Sequence, residues 1–167
     1  VANNLQDYLA DTGFCGDRSI TNSGDGYSTT SYTEYGAVNR LAKTNKLPIL
    51  TCPDKEHDLY TVDSTKGNGA LTNPIGLMTA DEAAMAGMVN GYLNTLSYVY
   101  TGTWYWTMSP SYFDPSDSAS VVWRVNGAGS FNGGWVTDGY GVRPAINLKA
   151  DTLVSGGIGT VNNPFTI

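Results

Sequence analysis

The sequence is poor in the groups that carry most enzyme chemistry. It holds one histidine, His57, and two cysteines, Cys15 and Cys52. With one histidine and no partner at metal-ligand spacing, a zinc site is not expected. A Ser-His-Asp triad would have to use His57, which stands in the charged run "DKEHD"; such runs are ordinarily solvated loops. Basic residues are also scarce. Nine Lys and Arg against fifteen Asp and Glu leave a net charge of -6, and no basic stripe is present to follow a nucleic-acid backbone or an anionic membrane. No apolar run approaches the ~20 residues of a membrane span. The opening residues lack the basic-then-apolar pattern of a signal segment. A start at Val1 rather than Met suits a chain trimmed from a longer one, with any export or anchoring segment upstream.

What is present describes a folded, β-rich domain. The 167 residues correspond to one domain of ordinary size, residues 1–167. A hydrophobic fraction of 41% with 14% charged residues supports a core and argues against disorder. Richness in Gly, Ser, Thr, Asn and Tyr suits a bacterial surface or secreted domain. Two cysteines are compatible with one disulfide or with two buried thiols.

Periodicity changes along the chain. "VANNLQDYLA" places Val1, Leu5, Tyr8 and Leu9 on one helical face. "GAVNRLAKTNK" reads as a helical turn or a strand, and "LYTV" and "IGLMT" as short strands. Thr79 precedes Glu82 by three, a capping box that predicts a helix ending near Gly91. Asp81 and Glu82 are read as first-turn acids of that helix. From residue 92 the pattern is mostly β. "YWTMSP" places Trp104, Trp106 and Met108 on one face. "SVVWRVNG" separates Val121, Trp123 and Val125 from Val122 and Arg124. "GVRPAINL" separates Val142, Pro144, Ile146 and Leu148 from Arg143, Ala145 and Asn147. On these phases Trp106, Trp123 and Ile146 are expected in the core. The tail "LVSGGIGTVNNPFTI" reads as a final hairpin.

The stretches "ADTGFCGDRSI", "NPIGLMTADEAAMAG", "YWTMSPSYFD", "VVWRVNGAGS", "YGVRPAINLKAD" and "SGGIGTVNNPFTI" carry a resemblance. Together they resemble a family of bacterial surface domains of unknown function. These are similar to the C-type-lectin-like fold, in the branch with formylglycine-generating enzymes and the variable proteins of diversity-generating retroelements. The resemblance implies an α+β domain: a small twisted antiparallel sheet, one or two helices and long irregular loops. It does not imply an activity, because the fold hosts oxidases, adhesins and sugar binders. Formylglycine-generating enzymes bind copper through two cysteines in the C-terminal part of the fold. Here both cysteines precede residue 53, so thiolate ligation at that place is not available, and no cofactor is expected. In an exported setting Cys15 and Cys52 are expected to form a disulfide tying the N-terminal segment to the start of the sheet.

The leading expectation is a non-catalytic extracellular recognition or adhesion module binding glycan or protein. The alternatives are a structural cell-surface or pilus-associated domain, and a hydrolase built on loop carboxylates. The candidate contacts are Tyr112, Asp114, Arg124, Asn132, Trp135 and Tyr140, around the 126–140 turn and the 109–118 loop. These loops supply hydrogen bonds and flat aromatic surface at low ordering cost. Arg143 is their support, or alternatively a ligand-binding cation; as support it is a planar donor group tying loop carbonyls or a carboxylate to the sheet. Asp114 and Asp117 could meet around calcium, but a solvated turn is the better reading of "FDPSDS".

Overall fold

The structure is a computed structural model that describes residues 5–22, 24–26, 30–42, 45–117, 119–160 and 162–167. It is α+β. A four-stranded antiparallel sheet has the order β2 (Thr33–Glu34), β5 (Tyr105–Asp114), β6 (Ala119–Val125), β7 (Phe131–Trp135). Two small antiparallel ribbons accompany it: β1 (Phe14–Cys15) with β3 (Leu59–Tyr60), and β4 (Ile75–Leu77) with β8 (Pro144–Ile146). The expected tail hairpin is present as bridges Gly156 to Thr166 and Thr160 to Asn163. Among the described residues at the N-terminus a short 3₁₀ turn, Leu5–Tyr8, forms; Val1 lies outside the described residues.

Helix α1 (Ala80–Met85) starts at the predicted capping box. The Thr79 hydroxyl accepts from the Glu82 N–H at 3.0 Å, and the Glu82 carboxylate accepts from the Thr79 N–H at 2.7 Å. The helix ends earlier than expected. Gly87 takes φ +95°, the Gly87 N–H donates to the Ala84 carbonyl, and the Met88 N–H donates to the Ala83 carbonyl. This is the paired C-terminal bonding of a Schellman motif, which a glycine without Cβ enters at little cost. The stop signal is therefore Gly87 rather than Gly91. Within "GAVNRLAKTNK", residues 36–42 are helical, with a π turn over Val38–Ala42.

The core lies between these helices and one face of the sheet. Ala37 with Val38 and Leu41 of the π turn, and Ala80 and Ala83 from α1, meet Tyr105, Trp123, Val125 and Phe131. Trp123 is 1% exposed and stacks on Phe131 at 4.8 Å. Its indole Nε1 is buried with no hydrogen-bond partner, so this ring is held by packing rather than by a polar tie.

Two expected core positions are corrected. In β5 the buried residues are Tyr105, Thr107, Ser109, Ser111 and Phe113; Trp106 lies on the opposite, half-exposed face with Met108. The buried face is lined by small hydroxyl residues with structural work to do. Ser109 accepts from the Ala80 N–H at 2.9 Å, meeting one of the unpaired donors at the start of α1, and Thr107 donates to the Trp123 carbonyl at 2.8 Å. In β8, Ile146 is 51% exposed, and Val142, Pro144 and Leu148 are exposed too. Gly76 pairs with Ala145, and a Cβ on Gly76 would stand 2.4 Å from the Phe14 ring. That close approach requires small residues on the inner side of the β4/β8 ribbon, which sends Ile75 and Ile146 outward. The phase reversal also brings Arg143 inward. Arg143 donates to the Val99 carbonyl at 2.9 Å and lies 5.5 Å from the Tyr105 ring centroid.

Cys15 and Cys52 form a disulfide, as expected. A loop of 37 residues corresponds to about 4 kcal/mol in the chain-entropy model. Trp123→Ala is expected to lower unfolding free energy by about 3–5 kcal/mol, whereas Ile146→Ala should change it by no more than about 0.5 kcal/mol. Denaturant unfolding of the two variants checks the assignment; equal losses would contradict it.

Candidate functional site

On the outer face of the main sheet, Trp106, Arg124 and Asn132 form one row across β5, β6 and β7, paired in register. Segment 138–141 closes over this row. The Gly141 N–H donates to the Trp104 carbonyl at 2.9 Å, and the Trp106 N–H donates to the Gly141 carbonyl at 3.1 Å. This docking lays Tyr140 against both tryptophans, 5.2 Å from Trp104 in a near-parallel stack and 4.8 Å from Trp106 at a tilt.

Arg124 anchors the group. Its Nε donates to Asn132 Oδ1 at 3.1 Å, and its Nη1 donates to the Tyr140 hydroxyl. The guanidinium carbon lies 4.5 Å from the Trp104 ring and 4.8 Å from the Tyr140 ring, within cation–π range. The Tyr140 hydroxyl in turn donates to Asp138 Oδ2 at 2.9 Å, and Asp138 stands 3.5 Å from Arg124 Nη1. Loss of solvent and the bond to Asp138 hold the Tyr140 phenol above its ordinary value, so it remains a neutral donor at pH 7. The arginine charge is thus matched within the cluster, and its planar fork orients two rings and an amide.

The six predicted contact residues fall into three groups. Arg124, Asn132 and Tyr140 are joined in this cluster. Tyr112 and Asp114 lie toward the other end of β5, beyond two register shifts. Tyr112 packs 5.6 Å from Tyr32, and Asp114 accepts from the Ser116 hydroxyl at 2.6 Å and the Ser116 N–H at 2.9 Å. Those bonds hold the Asp114 carboxyl below its ordinary value and make it the organiser of its own turn. Trp135 is 53% exposed, but it alternates with Asn132 and so shares its face with Phe131, opposite Arg124. Arg143 reaches the Val99 carbonyl and Tyr105 rather than these residues. The cluster adds Trp104, Trp106 and Asp138 to the predicted set. The signal for Asp138 was its place two residues before Tyr140 in "TDGYG". Among the described residues no group of three or more His, Cys, Asp or Glu is placed to hold a metal ion, and no helix is long and apolar enough to cross a membrane.

A model of the family described as a domain of unknown function, DUF6273, matches residues 28–150. The chain belongs to that family. No curated protein and no solved structure matches it. The matched span contains the whole aromatic cluster and ends before the tail hairpin.

Gly134 is the tightest point under the cluster. A Cβ there would stand 2.6 Å from Arg124 Cδ and 2.9 Å from Nε. Because rings and hydrogen bonds pin this arginine, Gly134→Ala is expected to displace it, at about 1–3 kcal/mol, with a shift in tryptophan fluorescence. Gly139 has nothing within 4 Å of a built Cβ, and Gly139→Ala should leave both readouts unchanged.

His57 is exposed, as the charged run implied. Its Nδ1 stands 2.9 Å from Asp54 Oδ2. That hydrogen bond, with the charge of Asp54, raises the His57 pKa, and the His57 backbone and ring bonds lower that of Asp54. A raised folded pKa means that the pair favours the fold below the unfolded value of about 6.5 and loses this effect as pH rises through the folded midpoint. An NMR titration should place the His57 midpoint above about 6.5 and return it toward that value in Asp54→Asn. An unchanged midpoint in the variant would contradict the pairing.

Proposed function

We propose that this domain is a non-catalytic extracellular recognition module that binds a neutral glycan through Trp104, Trp106, Tyr140 and Asp138. The observation that carries this reading is the Trp104–Tyr140 stack, with Trp104 40% exposed, built on an arginine whose charge Asp138 already matches. A flat ring next to a partly exposed carboxylate suits the apolar face and hydroxyl edge of a pyranose. A charge-matched site has no preference for an acidic sugar. The cluster holds no nucleophile–base pair, which favours binding over turnover. The Cys15–Cys52 disulfide is compatible with an extracellular setting.

A second reading is recognition of a surface protein. It is favoured by the apolar loop over 93–98, where Leu93, Leu96 and Tyr98 are strongly exposed, Leu96 at 95%. Such a group is characteristic of protein-contact surfaces. A glycan array followed by calorimetry on wild type, Trp104→Ala and Trp135→Ala tests the first reading. Trp104→Ala should weaken glycan binding about tenfold or more, roughly 1.4 kcal/mol, and Trp135→Ala should leave it unchanged. Binding indifferent to Trp104 would refute the site, and turnover of the bound glycan would refute the non-catalytic reading.

A further inference from the structure

A concave region lies away from the aromatic cluster and shares none of its residues. It is a cleft of about 380 Å³ between the disulfide, the start of α1 and the β4/β8 ribbon, within the size range of small-ligand sites. Its walls include Phe14, Leu50 and Leu77; its floor is Asp17, Arg40 and Asp81. The floor is nearly dry: the side chains of Asp17 and Asp81 are 5% and 4% exposed.

Two carboxylates there face one guanidinium. Arg40 Nη2 donates to Asp17 Oδ2 at 2.5 Å and to Asp81 Oδ2 at 2.7 Å, and Arg40 Nε donates to Asp81 Oδ1. Asp81 Oδ1 also accepts from the Ile49 N–H, and Asp17 Oδ1 from Ser19. The two Oδ2 atoms therefore converge on one nitrogen, and each retains acceptor capacity after its single bond to Arg40. The floor is rich in acceptors, poor in donors and one negative charge in excess. Burial raises the cost of leaving that charge unmatched. Lys55 also lines the cleft, but its side chain is exposed and its stem can keep the ammonium in water.

We propose that this cleft is a binding site for an alkyl chain ending in a primary ammonium, the lysine side chain of a peptide or a free alkylamine. The methylenes lie along Phe14, Leu50 and Leu77, and the ammonium meets Asp17 and Asp81 beside Arg40. No bond is made or broken.

The probes are Nα-acetyl-lysine methylamide, its uncharged counterpart Nα-acetyl-norleucine methylamide, and pentylamine, each titrated into the ¹⁵N-labelled domain. The lysine probe should shift resonances of cleft residues and bind at least about tenfold more tightly than the norleucine probe, roughly the effect of one added charge-assisted hydrogen bond. Lysine probe bound more tightly than pentylamine identifies a peptide as the source; equal binding identifies the free amine. Asp17→Asn should weaken the lysine probe. Leu50→Trp alters an exposed rim residue outside the ion group and should block binding without changing thermal unfolding, which keeps the test decisive if Asp17→Asn fails to fold. Equal binding of the lysine and norleucine probes would overturn the proposal. So would undiminished binding in Leu50→Trp, or no response to millimolar lysine probe.

Discussion

The arrangement depends most on Arg40 and its two carboxylates. Asp17 comes from the N-terminal segment, Arg40 from the π turn and Asp81 from the first turn of α1. These three pieces are far apart in sequence, and the packing of both helical elements on the sheet brings them together. Removing one member of such a buried set leaves an uncompensated charge, which costs about 3–5 kcal/mol. Desolvation alone would lower the pKa of Arg40; hydrogen bonds and charge from Asp81 and Asp17 outweigh it and raise the pKa. Asp81 also receives the Ile49 N–H, so the same ions hold the segment that leads to Cys52. The disulfide then closes that segment onto β1. Charge, helix start and covalent crosslink thus constrain one corner of the molecule, and the cleft lies in that corner.

The main sheet has two unlike faces. Its inner face is built from Trp123, Val125 and Phe131 together with small hydroxyl residues of β5. The hydroxyls meet backbone groups that hydrocarbon side chains would leave unpaired. Trp106 takes the outer face of β5 opposite these hydroxyls, and there Arg124 lies against Trp104 and Tyr140, with Tyr140 packed on Trp106. The proposed glycan platform is in this sense a consequence of how the core is satisfied. Glycine completes it, because Gly134 leaves room for the arginine stem and Gly141 lets a loop backbone dock on Trp104.

The sequence by itself determined whatever depends on neighbours along the chain. The capping box at Thr79 and Glu82, the alternation of Val121, Trp123 and Val125 and the solvated character of His57 all follow from local pattern. Each rests on hydrogen bonds or periodicities spanning a few residues. The Cys15–Cys52 pairing was expected from having only two cysteines, on the condition of an exported setting. Tertiary structure alone decided the faces of β5 and β8. Alternation reveals that Trp106 and Ile146 lie opposite Thr107 and Ala145, but not which side is buried, because that depends on what packs there. Ser109 is buried because the start of α1 needs an acceptor, and Ala145 turns inward because Phe14 fills the space beside Gly76. The candidate site divided for the same reason. Arg124, Asn132 and Tyr140 converge through strand register and loop docking, whereas bulges carry Tyr112 and Asp114 away and the pleat turns Trp135 to the other face. Asp17, Arg40 and Asp81 stand 23 or more residues apart in the sequence, and a long-range ion group leaves no local pattern by which to read it.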